Sequence, residues 1–470
     1  MFGVPVITVE QMRQWEQATW ATGVKESEVI AQVGRAVARR LEELTQPGDA
    51  ILLLAGSGHN GDDARAAAPH LTGRRIVLMD VTDPKSAGPE LEAALKTPPA
   101  WIVDGLFGIG LNRPLDSDWQ ALINAINGAG IPVLSVDTPS GLNAATGQVE
   151  GAAVQATVTL TVGAPKSGLI GSSYVGRLEV ADEVGLVPCL CEGELRWTLA
   201  KDFSRLPPPR AVNTNKGTFG HAAIVAGSLG YHGAAVLASH GALRAQPGLV
   251  TIFPQPAVYA PVAAQSQAAM VHPWQPGAPL PATCTAALFG PGLAAADVPQ
   301  SLKEDMARLW KTSPLAIVAD ASGLGWLKRG PAQEKAARVI TPHPGEAARL
   351  LDIRVGEVQA DRVGAVRELS HRYGDCIVVL KGHQTLVGRN TGPIFINGSG
   401  NPWLAQGGSG DLLGGHLAGL LAQPAWQTDA LTTVRYAVWQ HGAAADRLAA
   451  THPNWTVEDL ARILGTVRPA

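Results

Sequence analysis

A chain of 470 residues exceeds what one ordinary hydrophobic core supports, so two domains are expected. With 46% hydrophobic and 16% charged residues the composition is globular, and a formal charge of -3 argues against nucleic acid or an anionic membrane as the main partner. Four cysteines without a C-x-x-C pair (Cys189 and Cys191 as C-x-C, Cys284 and Cys376 apart) argue against a zinc site or a disulfide framework. Met1 to Glu16 has no apolar segment behind a basic start, and no apolar run is long enough to span a bilayer, so a cytoplasmic protein is expected.

In chain order, Gln11 to Ala21 and Glu28 to Leu44 read as helices. Ile51 to Leu54 is a short apolar run that ends in Ala55-Gly56-Ser57-Gly58. Ile76 to Met79, Trp101 to Val103, Pro132 to Val136 and Val158 to Val162 repeat that pattern, with a helix-length segment at Asp118 to Asn127. Apolar strands buried on both faces and separated by helices predict a parallel, doubly wound α/β sheet, with ligands at the carboxyl ends of its strands. The alternation breaks between Cys191 and Lys216, where Pro207-Pro208-Pro209-Arg210 is stiff and non-helical. A boundary near Lys201 divides the chain into domains 1-200 and 201-470. The second half restarts with strands at Ala222 to Val225, Leu249 to Phe253, Ala287 to Phe289, Ala316 to Ala319, Val339 to Ile340 and Ile377 to Leu380, and a turn-bounded run at Pro393 to Ile396.

The most informative motif is Gly407-Gly408-Ser409-Gly410-Asp411 ahead of an apolar helix. Glycines let backbone amides close on a ligand, and the helix N-terminus adds free N–H groups and a positive dipole end. An Asp there makes sense if it takes a proton from a hydroxyl that attacks a phosphate; an ordinary Gly-rich turn capped by Asp is the other reading. Thr341-Pro342-His343-Pro344-Gly345-Glu346 is a rigid strand-to-helix loop. Leu380-Lys381-Gly382-His383-Gln384-Thr385 ends a strand where a nucleotide fits, Phe289-Gly290-Pro291-Gly292-Leu293 forms a rigid turn, and Gly230 to Ala235 enters a helix.

With Asn215-Lys216-Gly217-Thr218-Phe219-Gly220, these motifs resemble, in order, those of the dehydratase domain of the NAD(P)H-hydrate repair enzymes, a branch of the ribokinase-like fold. The resemblance covers the second half of the chain. It implies that Asp411 is a general base and that the amides of Gly408, Ser409 and Gly410 stabilise a transferring phosphoryl group. It also implies that Lys381, Gly382, His383, Gln384, Thr385 and Gly410 hold an adenine nucleotide, that His343 holds the hydrated cofactor, and that Ala234 and Gly292 complete the binding set. His383, Gln384, Trp403, Leu404 and Gln406 depart from the family's smaller residues.

In the first half, Gly56 to Asp63, Val103 to Leu111 and Val136 to Leu142 each follow a strand. Asn60, Asp104, Asp137 and Ser140 at neighbouring strand ends suit a hard cation bound through oxygen, against simple capping for any one of them. This half resembles the NAD(P)H-hydrate epimerase domain, expected as a Rossmann-like sheet. The family's potassium maps onto Asn60, Asp104 and Ser140. Its dinucleotide maps onto His59, Asn60, Gly61, Asp62 and Asp63 and onto Gly108, Ile109, Gly110, Leu111, Asn112, Arg113 and Pro114, with Asp137 facing the reacting ring as acid/base or orienting group. His59, Asp62 and Ala64 replace Asn, Gly and Gly of the family's loop, and Asp62 is expected to add negative charge beside a phosphate.

The resemblance implies repair of hydrated NADH and NADPH. The second domain phosphorylates the C6 hydroxyl from ADP, with Mg2+, and phosphate elimination restores the dinucleotide. The first domain, with K+, interconverts the two C6 epimers. The expected partners are the hydrated dinucleotides and ADP, in a homo-oligomer, with no nucleic acid and no membrane. The competing readings are a small-molecule kinase built on the same loop and a first domain that binds without catalysis.

Overall fold

A computed structural model describes residues 3–469, so the outer limits of the expected domains, residues 1 and 470, lie outside the described residues. The chain divides into two compact units, Val4–Gly193 and Glu194–Ala470, with Gly3 grouped in the second. The division falls at Gly193, because Leu195–Trp197 is a strand paired in parallel with Ile394–Asn397. The stiff proline run therefore lies inside the second unit.

The first unit is a parallel sheet in the order Arg75–Asp80, Ala50–Ala55, Trp101–Gly105, Val133–Val136, Val158–Val162 and Arg177–Ala181. Successive side chains of a strand point to opposite faces, which explains the unbroken apolar run of Ala50–Ala55. Ile51 and Leu53 join Val33, Val37 and Leu41 of the helix Glu26–Leu44 on one face. Leu52 and Leu54 pack with Leu91, Leu122 and Ile126 on the other. Ala50–Ala55 has the next strand of the chain on one side and Trp101–Gly105 on the other, so the winding reverses between them. Such a reversal opens a crevice at the strand ends. The loops after these two strands, 56–58 and 106–116, flank it.

The second unit's sheet runs Leu195–Trp197, Ile394–Asn397, Thr385–Gly388, Ile377–Leu380, Arg338–Ile340, Ala316–Ala319, Ala286–Phe289, His221–Val225, Leu249–Ile252 and Met270–Val271. The pairings from Ile377–Leu380 through Thr385–Gly388 to Ile394–Asn397 are antiparallel and the rest parallel. Thr385, read from sequence as the end of a strand-terminal loop, starts a strand of its own. The helix Ser409–Leu421 packs against His232–Arg244 with backbones nearly touching. A Cβ on Gly415 would lie 1.8 Å from the Ala238 carbonyl oxygen, and one on Gly241 would lie 2.0 Å from that of Leu412. Glycines inside both helices permit that approach, while Gly407 and Gly408 before Ser409–Leu421 shape the loop.

Candidate functional sites

In the second unit, Gly408 holds the turn into the helix Ser409–Leu421 at φ 93°, and its added Cβ would meet Leu237 Cδ1 at 2.3 Å. The Ser409 amide bonds back to the Gln406 carbonyl at 3.3 Å, and Ser409 Oγ donates to the Leu404 carbonyl at 2.8 Å. Among the described residues, the amides of Gly410 and Asp411 have no protein acceptor, and they are the N–H groups that the helix start leaves for a ligand. Asp411 sits in that first turn. Burial, reinforced by the charge of Asp320, pushes its carboxyl up to about 6, against the opposing pull of Lys381.

Asp320 terminates the strand Ala316–Ala319 and is buried. It accepts hydrogen bonds from Thr341 Oγ1 at 2.7 Å and from Lys381 Nζ at 2.9 Å. Glu346 Oε2 lies 3.9 Å from the same ammonium and accepts from the His343 amide at 2.8 Å. Burial alone lowers the pKa of Lys381, but Asp320, Glu346 and Asp411 outweigh it and hold the ammonium charged. Lys381 is anchored through its amide to the Pro342 carbonyl at 2.9 Å. His343 caps the helix Pro344–Leu351, its Nδ1 accepting from the Gly345 amide at 3.0 Å, and half of its side chain stays exposed.

The segment 381–385 turns tightly, with Gly382 at φ 128° and Gln384 at φ 53°. Arg362 clamps it by donating to the carbonyls of Leu380, His383 and Gln384, while Thr385 Oγ1 donates to the Gly382 carbonyl at 3.0 Å. Gly382 and His383 are exposed and Gln384 is buried, so two of the three intervening residues face solvent. Gly292 and Ala234 are neighbours: a Cβ on Gly292 would lie 2.7 Å from that of Ala234.

In the first unit a cavity of about 900 Å³ occupies the sheet's crevice. His59, Asn60 and Asp63, the whole run Gly108 to Pro114, and Asp137 line it. Gly61 and Asp62 do not. Gly61 faces inward, where a Cβ would lie 2.0 Å from the Gly56 carbonyl oxygen, so it serves packing. Asp62 points to Arg65, with Oδ1 2.9 Å from Nη1, and Arg65 also bonds Asp80. The charge expected to disturb a phosphate is thus paired beside the cavity.

Asn60, Asp104 and Ser140 do converge. Asp104 is fully buried and accepts from Ser135 Oγ and the Ser140 amide, both at 2.8 Å, and from Ser140 Oγ. Burial raises its pKa, and the hydrogen bonds from Ser140, Ser135 and Leu106 oppose that shift. Asn60 Nδ2 donates to the carbonyls of Phe107 at 2.8 Å and Val136 at 2.9 Å. Carboxylate, hydroxyl, amide and carbonyl oxygens without sulfur or imidazole are the donor set of a hard cation. Asp137, at φ 59°, is held by Thr161 Oγ1 at 3.0 Å, the Val162 amide at 2.9 Å and the ammonium of fully buried Lys166, all on one carboxylate oxygen.

Residues 222–465 match the family model for NAD(P)H-hydrate dehydratase, and residues 78–168 match that for the YjeF-related protein N-terminus. A bifunctional NAD(P)H-hydrate repair enzyme of Coxiella burnetii is 33% identical over 93% of this chain and 94% of its own length. The chain belongs to the bifunctional NAD(P)H-hydrate repair enzymes. Among solved structures, the ADP/ATP-dependent NAD(P)H-hydrate dehydratase of Bacillus subtilis, co-crystallised with ATP and Mg2+, is similar at 30% identity and a TM-score of 0.50, covering 57% of this chain and 95% of that one. A ribokinase-like protein of Enterococcus faecalis V583 shares the fold at 22% identity and a TM-score of 0.50, over 59% of this chain and 96% of its own.

In this NAD(P)H-hydrate repair enzyme, the residues that sequence reasoning left out are charge partners and clamps. Asp320 carried a legible signal, since it ends a buried strand as Asp104 and Asp137 do. Arg362 and Glu16 carried none: each is an ordinary charge on an amphipathic helix until the fold turns it toward a loop or a cavity.

Proposed function

We propose that the second unit dehydrates hydrated NADH and NADPH at the expense of ADP, and that the first unit interconverts their C6 epimers. The observation that carries the first part is Asp411, half-buried with a raised pKa beside Lys381 and next to free helix-start amides. Asp411 accepts the proton of the C6 hydroxyl as that oxygen attacks the terminal phosphoryl group. The Gly410 and Asp411 amides and the Lys381 ammonium stabilise charge on the phosphoryl oxygens. Phosphate then leaves from C6 as the ring nitrogen's lone pair expels it, and loss of a proton from the neighbouring carbon restores the reduced ring. Three carboxylates, Asp320, Glu346 and Asp411, surround a single ammonium, and this excess of negative charge suits a nucleotide that arrives with Mg2+. Bound Mg2+ neutralises phosphate charge.

In the first unit Asn60, Asp104 and Ser140 would hold K+, which fits their oxygen donor set and supplies positive charge for a dinucleotide phosphate. The Gly108 to Pro114 loop and His59 wall the dinucleotide, and Asp137 orients the hydrated ring. The test is recovery of reduced-nicotinamide absorbance from a mixture of both hydrate epimers with Mg2+, K+ and ADP. Full recovery supports both activities. Recovery that stalls once one epimer is consumed removes the epimerase part, and accumulation of a stable phosphorylated product removes the dehydratase part.

The pH dependence follows from Asp411. Its carboxyl is protonated below about 6 and then accepts no proton, so kcat/KM for dehydration of the S epimer rises through about pH 6 and levels off above it. A profile flat from pH 5 to 8 contradicts the assignment.

A further inference from the structure

Two carboxyls in the first unit's cavity have no proton-transfer role above: Glu16, and Asp63, which the resemblance places only on the dinucleotide. The cavity is lined by Glu16, Asp63 and Asp137 together. One oxygen of Asp137 is committed to Thr161, Val162 and the Lys166 ammonium, which holds that carboxylate against a cation. Asp104 is committed to Ser135, Ser140 and Leu106. Glu16 and Asp63, by contrast, form no hydrogen bond or ion pair among the described residues that would occupy their oxygens. They come from different helices, Val9–Trp20 and His59–Ala67. Glu16 is fixed by its helix: Thr8 and Gln11 form a capping box, and the neighbouring Trp15 is buried and donates Nε1–H to the Val187 carbonyl at 2.7 Å.

Epimerisation by breaking and re-forming the C6–O bond needs a proton delivered to the departing oxygen on one face and one removed from the arriving water on the other. We propose that Glu16 and Asp63 are the proton-carrying pair of the first unit, a role that rests on the epimerase reading of that unit. One carboxylic acid gives its proton to the C6 hydroxyl. The C6–O bond breaks, water leaves, and the ring nitrogen's lone pair forms a C=N double bond, leaving an iminium. A solvent water adds to the opposite face of C6, its proton goes to the other carboxylate, and the electron pair returns to nitrogen. One C–O bond is broken and one formed, no oxidant is needed, and the two carboxyls end with exchanged protonation, ready for the reverse inversion. Asp137, held against Lys166, supplies a fixed negative charge near the iminium.

The environment supports this role. Burial, then Asp137, raises the pKa of Glu16, opposed by Lys166 and His59. Burial, then Asp137, Asp62 and Glu16, raises that of Asp63 well above the usual carboxylate range, opposed by Lys166. Carboxyls pushed toward neutrality are better proton donors at working pH.

The test follows epimer interconversion in heavy-oxygen water, with wild type, Glu16→Gln and Asp63→Asn, and measures binding of hydrated NADPH alongside. The expected results are one solvent oxygen incorporated per inversion by the wild type, and a rate lowered about 10²-fold or more in each variant with binding retained. Wild-type rates in both variants overturn the pair, and inversion without solvent oxygen overturns the C–O step. A wild type that does not accelerate inversion overturns the epimerase reading itself, a distinct outcome. If Glu16→Gln fails to fold, the rate of Asp63→Asn decides.

Discussion

Asp411→Asn is expected to lower dehydration of the S epimer by about 10²- to 10⁴-fold, the range a positioned general base supplies. Asparagine keeps the side chain's size at the first turn of the helix Ser409–Leu421 and removes only the charge and the ability to take a proton. The groups proposed to hold the phosphates are main-chain amides and Lys381, so nucleotide affinity is expected to be retained. The acid limb near pH 6 disappears from the variant's residual activity, because the group that titrates there is gone. Calorimetric titration of ADP alongside single-turnover rates separates the two effects. A variant that loses nucleotide binding but turns over normally at saturation refutes the role of base. Stalling at a phosphorylated intermediate is expected of neither protein.

Lys166→Met should destabilise the first unit by about 3–5 kcal/mol, the usual consequence of leaving one charge of a buried pair alone. Lys166 is fully buried, and besides Asp137 its ammonium meets Thr161 Oγ1 at 3.2 Å and the Val162 carbonyl at 2.9 Å. Methionine fills the space without serving any of them. For a unit of this size the shift corresponds to roughly 10 °C in Tm, read by calorimetry in the transition of the first unit. Adding Asp137→Asn to Lys166→Met removes the orphaned charge and recovers much of the loss, because a pair deleted together costs far less than half of it. A single variant that melts within a degree or two of the wild type shows that the pair is solvated in solution.

Much of the site was legible because strand ends announce themselves. The Val103-Asp104-Gly105 and Val136-Asp137-Thr138 sequences place a carboxylate directly after residues buried on both faces; the fold turns Asp137 into the cavity and buries Asp104 against Ser135 and Ser140. The loop Gly108 to Pro114 lines the cavity as a continuous run for the same reason. Asp62 misled, because a charge's effect depends on whom it faces, and Arg65 three residues on, bridging to Asp80 of the edge strand, takes it up. The antiparallel strand Thr385–Gly388 was hidden because its partner across a tight turn, Ile377–Leu380, has the same apolar character as the parallel strands around it.

The sequence by itself determined the two-unit α/β architecture, through apolar runs that only a doubly covered sheet buries. It also determined the family of the second unit, through a glycine loop and an aspartate at the start of an apolar helix. The tertiary structure decided which charges are spent and which are free. Asp104 and one oxygen of Asp137 are taken up by donors distant in the chain, Asp320 at a strand end and Glu346 in the helix Pro344–Leu351 are brought to Lys381, and Glu16 and Asp63, in one cavity, have no hydrogen-bond partner among the described residues. Hydrogen bonding and burial set a carboxyl's proton affinity, and both are properties of neighbours that the chain's order does not reveal.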